Sequence, residues 1–326
     1  MVSNNTNESE NPLQGILPLD PSLADANSDT LSDTAGDSTL AGEAAVHAQI
    51  AAAEPLTAPA PAAAHTGPTL KPTGDRMMAC RYELKYRISE TTARAIAAYI
   101  KPILPQDRYA QLRPHGEYPI TSLYLDSDHL TMAKETLEGK KNRFKLRVRG
   151  YSDKPDTPIF FEIKRRIERV ILKSRARAMH HHVPLILAGQ ELPPQKFQTD
   201  MKSLRQFQLY VKYLNARPMI LVRYMRQAFE GDGECRVRIT FDRQLSYCVT
   251  DEPRVRLGGT GWMPVPLNFT ILEIKFTARY PAWLSEMVRI FDLNVSAMSK
   301  YCSTIEQSMM TGFGGPRHLN LLSMMA

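Results

Sequence analysis

Cysteine and tryptophan are scarce in this sequence, with four of the first and two of the second in 326 residues. Cys80, Cys235, Cys248 and Cys302 stand far apart, with no CxxC pair and no Cys/His pair at metal-ligand spacing. That spacing favours neither a zinc site nor a disulfide framework and suits a reducing compartment. Long apolar runs are lacking too. None approaches the ~18 residues that cross a bilayer, and the N-terminus lacks the basic-then-apolar order of a secretory signal. A soluble, cytoplasmic protein without a transmembrane segment is expected. The stretch Leu257-Gly258-Gly259-Thr260-Gly261 lacks the lysine and the strand–helix setting of a P-loop. The run His180-His181-His182 would aim adjacent side chains in different directions, so a polar turn or helix start before Val183 is expected rather than a metal site.

Positive charge is what the sequence has in excess, and it is unevenly placed. Residues 1–75 hold ten acidic residues, one lysine (Lys71) and long stretches of Ala, Pro, Ser and Thr without an apolar period. Such a segment cannot bury enough apolar surface to offset its ordering entropy, which predicts a disordered acidic tail. Removing it from the totals leaves 41 − 1 = 40 Lys and Arg against 34 − 10 = 24 Asp and Glu over residues 76–326, a net charge of +16. A field of that sign favours a polyanionic partner. The expected folded domain covers 76–312, with a short tail over 313–326.

A period of two dominates from Cys80 onward. In 81–88 (RYELKYRI) the charged Arg81, Glu83, Lys85 and Arg87 alternate with Tyr82, Leu84, Tyr86 and Ile88. Strands are predicted likewise over 119–126, 143–150, 159–166, 171–178, 218–229, 235–242 and 270–277. Helices are predicted over 90–103, capped by Ser89, and over 129–138, 281–293 and 299–311, with a mainly helical insertion at 179–215. The outcome is an α+β domain built on an antiparallel sheet or barrel.

The polar faces of six of these strands carry fifteen Lys and Arg against four acids, Glu83, Glu162, Asp242 and Glu273. Neighbouring strands that present cations on one side repel one another unless a dense anion sits against them. Three strands repeat one spelling, Glu83-Leu84-Lys85, Glu162-Ile163-Lys164 and Glu273-Ile274-Lys275, which places a carboxylate and an ammonium on the same face about 7 Å apart. The glutamates of such a cage could hold a divalent metal, Mn²⁺ or Mg²⁺, beside phosphate. Periodicity leaves open whether this face lines an interior or clothes the outside of an ordinary barrel. Aromatic platforms for nucleobases are missing from the basic faces, which argues against a nucleic-acid partner.

The motifs RYELKY, SLYLD, FKLRVRGY, FFEIKRR, LVRYMRQAF, VRITFD and LEIKF, followed by SAMSKY at a C-terminal helix, resemble in their order the VTC-domain polyphosphate polymerases of the triphosphate tunnel metalloenzyme group. The likeness covers about 80–310. It implies an eight-stranded antiparallel β tunnel with flanking helices, the charged face inward and the apolar face outward. It also implies phosphate ligands at Lys85, Lys134, Lys145, Arg147, Lys164, Lys173, Arg223, Arg238, Lys275, Ser299 and Lys300, joined by Arg175 from the same strand as Lys173. Lys85, Lys145, Arg147, Lys164, Arg238 and Lys275 are expected nearest the chemistry. Glu273 matches the metal-ligand glutamate, with Glu83 and Glu162 as further carboxylates.

Departures from the family pattern sharpen this expectation. Hydrolytic members of the wider group open with E-x-E-x-K, whereas here the first position is Arg81, which shifts weight from hydrolysis to synthesis. Lys134 stands where the polymerases resemble an arginine site, and 250–270 holds no motif of the family. The phosphate-sensing domain and membrane helices that accompany the family are not in this sequence, so a membrane-protein partner is a possible recipient of the product. The expected substrates are ATP or another NTP and inorganic polyphosphate. A tripolyphosphatase or nucleoside triphosphatase of the same fold, and a non-catalytic polyphosphate or inositol-polyphosphate receptor, stand as rivals.

Overall fold

The computed structural model describes residues 81–168, 170–191, 198–231, 236–277 and 280–312. The tails expected over 1–75 and 313–326 lie outside these residues, as do Cys80 and Cys235. Among the described residues nine strands and seven α-helices follow one another in the order β1 (Arg81–Ile88), α1 (Glu90–Ile100), α2 (Arg108–Gln111), β2 (Tyr118–Asp126), α3 (Thr131–Leu137), β3 (Arg143–Gly150), β4 (Pro158–Ile167), β5 (Val170–Met179), α4 (Val183–Leu187), α5 (Gln198–Leu214), β6 (Arg217–Glu230), β7 (Val237–Val249), β8 (Met263–Pro264), β9 (Thr270–Thr277), α6 (Ala282–Ile290) and α7 (Lys300–Met310). The histidine run forms a 3₁₀ turn, His180–His182, that opens α4.

Eight long strands join in one sheet in the order β1-β9-β7-β6-β2-β3-β4-β5, with the two-residue β8 added to β7, and every pairing is antiparallel. The sheet curls into a half-barrel. Its curvature shows in Lys164 of β4, which reaches Glu83 of the edge strand β1 at 3.4 Å although several strands separate them in the ladder. No ladder joins the two edges, β1 and β5, among the described residues.

Alternation settles which face is which. Tyr86, Ile88, Ile239, Phe241, Leu272, Ile274 and Phe276 lie on the convex face, where α1 covers them with Ala93, Ile96 and Ile100, and α6 with Leu284, Met287 and Val288. Leu123, Leu146, Val148, Phe161 and Ile163 continue that face beneath α5, which supplies Leu204, Phe207 and Val211. Burying each such side chain contributes about 1.5–3 kcal/mol, so these two layers fix the direction of curl. The charged residues of the same strands are left on the concave side.

One part of the concave side departs from the expectation of a wholly charged lining. Ile120, Tyr124, Ile220, Val222 and Tyr247 form an apolar patch there, and α7 packs into it with Tyr301, Ile305 and Met309. The C-terminal helix therefore lies inside the curl. β7 also runs on to Val249, seven residues beyond the predicted end at Asp242. Gln244 takes a left-handed conformation (φ 53°), and the register against β6 shifts between Arg223 and Met225. This bulge moves the concave positions from 238, 240 and 242 to 245, 247 and 249.

Candidate functional site: a cationic concave face

The site grows from the registers. Lys85 lies opposite Glu273, and Glu83 opposite Lys275; Arg238 and Thr240 on β7 continue the same rows across β9. On the far side Lys145 pairs with Lys164 and then Lys173, and Arg147 with Glu162 and then Arg175. The start of α7 enters between these halves. Ser299 caps the helix by accepting from the Cys302 amide, and its hydroxyl also receives a hydrogen bond from Lys145 Nζ at 2.7 Å. Lys85 Nζ donates to the Met298 carbonyl at 3.2 Å, and Lys300 Nζ binds Asp242 at 2.6 Å and Glu273 at 3.0 Å. The structure thus gathers Lys85, Lys145, Arg147, Lys164, Lys173, Arg175, Lys275, Ser299, Lys300, Glu83, Glu162 and Glu273 on one surface.

Two expected residues, Arg223 and Arg238, are placed differently. Arg223 pairs across from Thr121 and Ser246 on the convex side, lies 4.1 Å over the Trp262 ring and bonds the Leu257 carbonyl. It is separated from the lining by the sheet itself. The concave arginine of β6 is Arg226, three residues on and hence of opposite parity, which makes a bidentate pair with Asp242 at 2.7 Å and approaches Glu273 at 3.6 Å. Arg238 is on the concave side, but its guanidinium is held by Asp107 at 2.8 Å and by Glu230, toward one end of the face. Lys134, half-buried on α3, makes no side-chain hydrogen bond or ion pair among the described residues.

Charge and burial compete throughout. Burial opposes the charge of Glu162, yet Arg147, Arg149 and Arg175, from two flanking strands, hold its carboxyl well below the usual range. Burial likewise works against Glu83 and Glu273; Lys164 and Lys275 hold the first low, and Lys275, Lys300, Lys85 and Arg226 the second. Burial pushes the Lys164 ammonium down to about 7, with Glu83 resisting and Lys85 and Lys173 assisting. Lys145 is pushed down by burial too, and it has no ion pair among the described residues. A cation withdrawn from water with only a hydroxyl beside it is a place prepared for an anion.

Asp126, Asp242 and Arg226 frame the site without having been singled out as its members from sequence. Asp126 accepts hydrogen bonds from the Met132 and Ala133 amides of α3 and, at 2.6 Å, from the Tyr301 hydroxyl of α7. Tyr301 stacks on Tyr124, whose hydroxyl accepts from Arg147. One buried carboxylate therefore fixes two helices against the lining.

A divalent metal can be fitted to the donors present. The described residues contain no group of three or more Asp, Glu, His or Cys. A metal here would take few ligands from protein and the remainder from phosphate and water, as Mg²⁺ commonly does. Glu273 is paired with Lys275, Lys300 and Arg226, yet it shares Lys300 Nζ with Asp242, so two carboxylates already converge on one cation there. Glu162 is clamped by three guanidinium groups and Glu83 by two ammonium groups, and both act as counter-ions in this arrangement.

A curled antiparallel sheet whose inner face holds more cations than carboxylates defines a receptor for compact polyanions. Residues 80–309 match the model of the VTC domain, and the chain belongs to that family. The vacuolar transporter chaperone complex subunit 4 of Schizosaccharomyces pombe is 24% identical over 252 residues, which cover 64% of this chain and 34% of the relative. The chain thus spans about a third of that protein's length. Among solved structures, an adenylate-cyclase candidate of Bacillus halodurans aligns at a TM-score of 0.38 and 13% identity, covering 67% of this chain and 92% of the other. The PH1819 protein of Pyrococcus horikoshii OT3 aligns at 0.37 and 11%, covering 70% and 99%.

Proposed function

We propose that the chain is a polyphosphate polymerase that transfers the γ-phosphoryl group of ATP, or another NTP, to a growing inorganic polyphosphate chain on its concave face. The observation that carries this reading is Lys145: a half-buried cation with no carboxylate partner among the described residues, flanked across the register by Lys164 and facing Ser299. Family membership supplies the substrate class.

Phosphoryl transfer needs positioning and charge neutralisation more than covalent help from protein. Lys145, Lys164 and Lys85 grip non-bridging phosphate oxygens, and the Ser299 hydroxyl adds a neutral donor. Arg147 stays oriented by Glu162 at 2.6 Å and by the Tyr124 hydroxyl. A terminal oxygen of the acceptor phosphate attacks the γ-phosphorus in line; the bond from that phosphorus to the β–γ bridging oxygen breaks, and NDP departs with its electron pair. The attacking oxygen is already anionic, so no general base is required. Bound Mn²⁺ or Mg²⁺ at Glu273 would neutralise charge on the phosphate oxygens. Lys300 and Arg226, shared between Glu273 and Asp242, keep that carboxylate in place.

The chain would act in the cytoplasm as part of a complex. Its Schizosaccharomyces pombe relative is the subunit of a complex, and this and the free thiols of Cys248 and Cys302 support the reading; no helix among the described residues is long and apolar enough to cross a membrane. Incubation with ATP and Mn²⁺, followed by gel separation of products, tests the reading. Long phosphate chains are expected. Free phosphate without polymer would replace the polymerase with a hydrolase, and tight binding without turnover would make it a receptor.

A further inference from the structure

Alternation in the sequence shows no aromatic platform on the basic strand faces, but the fold assembles one at a single end of the concave side. Phe160 of β4 projects there between Arg149 and Arg177, and Tyr118 of β2 lies opposite Arg226. Tyr151, just past β3, meets the Phe160 ring edge-on at 5.9 Å, and Tyr109 of α2 lies 5.9 Å from Tyr118 and 6.4 Å from Tyr151. Four rings from four neighbouring elements thus form a contiguous cluster. Tyr109 is its outermost member, 51% exposed.

Two features distinguish this cluster from ordinary core packing. Tyr124 and Tyr301, which share a core cluster with Tyr118, stack at 4.7 Å between centroids. Tyr109 and Tyr151 are parallel to within 7° but 6.4 Å apart. If that distance is slide, the rings scarcely overlap; if it is separation, it approaches two stacking layers of about 3.4 Å each. Either way the two rings are not in the close contact that Tyr124 and Tyr301 make. Cations also surround the rings: Arg175 lies 3.8 Å over Phe160, and Arg108 lies 4.7 Å over Tyr109 while donating to its hydroxyl at 2.6 Å.

We propose that this cluster is a platform for the nucleobase of the NTP, with Tyr109 and Tyr151 stacking on the base and Arg149 and Arg175 receiving the phosphates nearest the ribose. The inference rests on the NTP-dependent reading given above and adds to it where the nucleoside lies. An NTP is a flat ring at one end and a triphosphate at the other, and the concave face has the same polarity. Arg149, Arg147 and Lys145 follow one another on the concave side of β3, so roughly 13 Å of cationic track leads from the rings to Lys145.

The test compares two ligands that differ by the nucleoside. ATP and inorganic tripolyphosphate, each with Mg²⁺, are titrated calorimetrically into the full chain and into Tyr109→Ala and Tyr109→Trp. Tyr109 is on the surface and outside the phosphate grip, so both variants keep the fold. Stacking of one base on one ring predicts about a tenfold weaker Kd for ATP in Tyr109→Ala, recovery in Tyr109→Trp, and an unchanged Kd for tripolyphosphate in both. Equal effects on the two ligands, or none on either, would overturn the platform while leaving the phosphate site standing. Failure of the wild type to bind either ligand would instead overturn the phosphate reading and this inference with it.

Discussion

Titration of ATP into the protein between pH 8 and 10 interrogates Lys164 directly. Burial brings its ammonium from the usual 10.5 to about 7, against the pull of Glu83. At pH 8 about one molecule in ten carries the charge, and supplying the proton for a bound phosphate costs about 1.4 kcal/mol, with the same again for each further pH unit. The terminal phosphate of ATP is fully ionised above about pH 7, so the ligand's charge stays constant across the window. The Kd should therefore rise about tenfold per pH unit from this group. Lys164→Arg remains charged throughout and should lower the slope by that amount. Stability moves the other way. The folded value lies below the unfolded one, so unfolding takes up a proton between pH 7 and 10, and this lysine's contribution stabilises the ligand-free protein as pH rises through that interval. Thermal melts of the apoprotein provide the second readout. Identical binding slopes for wild type and Lys164→Arg would refute the placement of Lys164 against phosphate.

The two arginines of β6 separate lining from exterior. Arg226→Met should abolish polymer synthesis in the gel assay, whereas Arg223→Met, on the other side of the sheet, should leave the rate within about twofold. Glu162→Gln removes the counter-ion of three guanidinium groups, and breaking such a partly buried cluster should lower stability by about 3 kcal/mol in urea unfolding. Tyr301→Phe leaves the buried Asp126 carboxylate without its hydroxyl donor; a loss of about 1–2 kcal/mol is expected, with synthesis slowed because α7 carries Ser299 and Lys300.

Alternation made most of the strands legible, since Arg143, Lys145, Arg147 and Arg149 can occupy one face only. It could not say which face turned inward, because a period of two is the same from either side. Burial of Phe161 under Phe207 and of Ile274 under the α1 and α6 side chains decides that, and both are contacts between segments far apart in sequence. Arg223 was misplaced for a related reason. It and Arg226 share one motif but differ by three positions, so one of them must leave the lining, and only the pairing of Arg226 with Asp242 shows which. The bulge at Gln244 hid the second half of β7 by shifting its apolar positions by one. Tyr109, Tyr118, Tyr151 and Phe160 are individually unremarked in the sequence, and the pairing of β2, β3 and β4, with α2 laid at their end, makes them neighbours.

Among the described residues no ladder joins β1 to β5, and on the polymerase reading this bears on how a long polymer would meet the protein. Across the concavity between β1 and β4 the bond is Lys164 to Glu83, two side chains rather than a row of backbone hydrogen bonds. Parting them requires rotamer changes and a competing anion, both of which a phosphate chain brings. A polymer can then be laid into the groove along its length, without threading from an end, and the ion pair that yields to it at Lys164 can re-form once the chain has left.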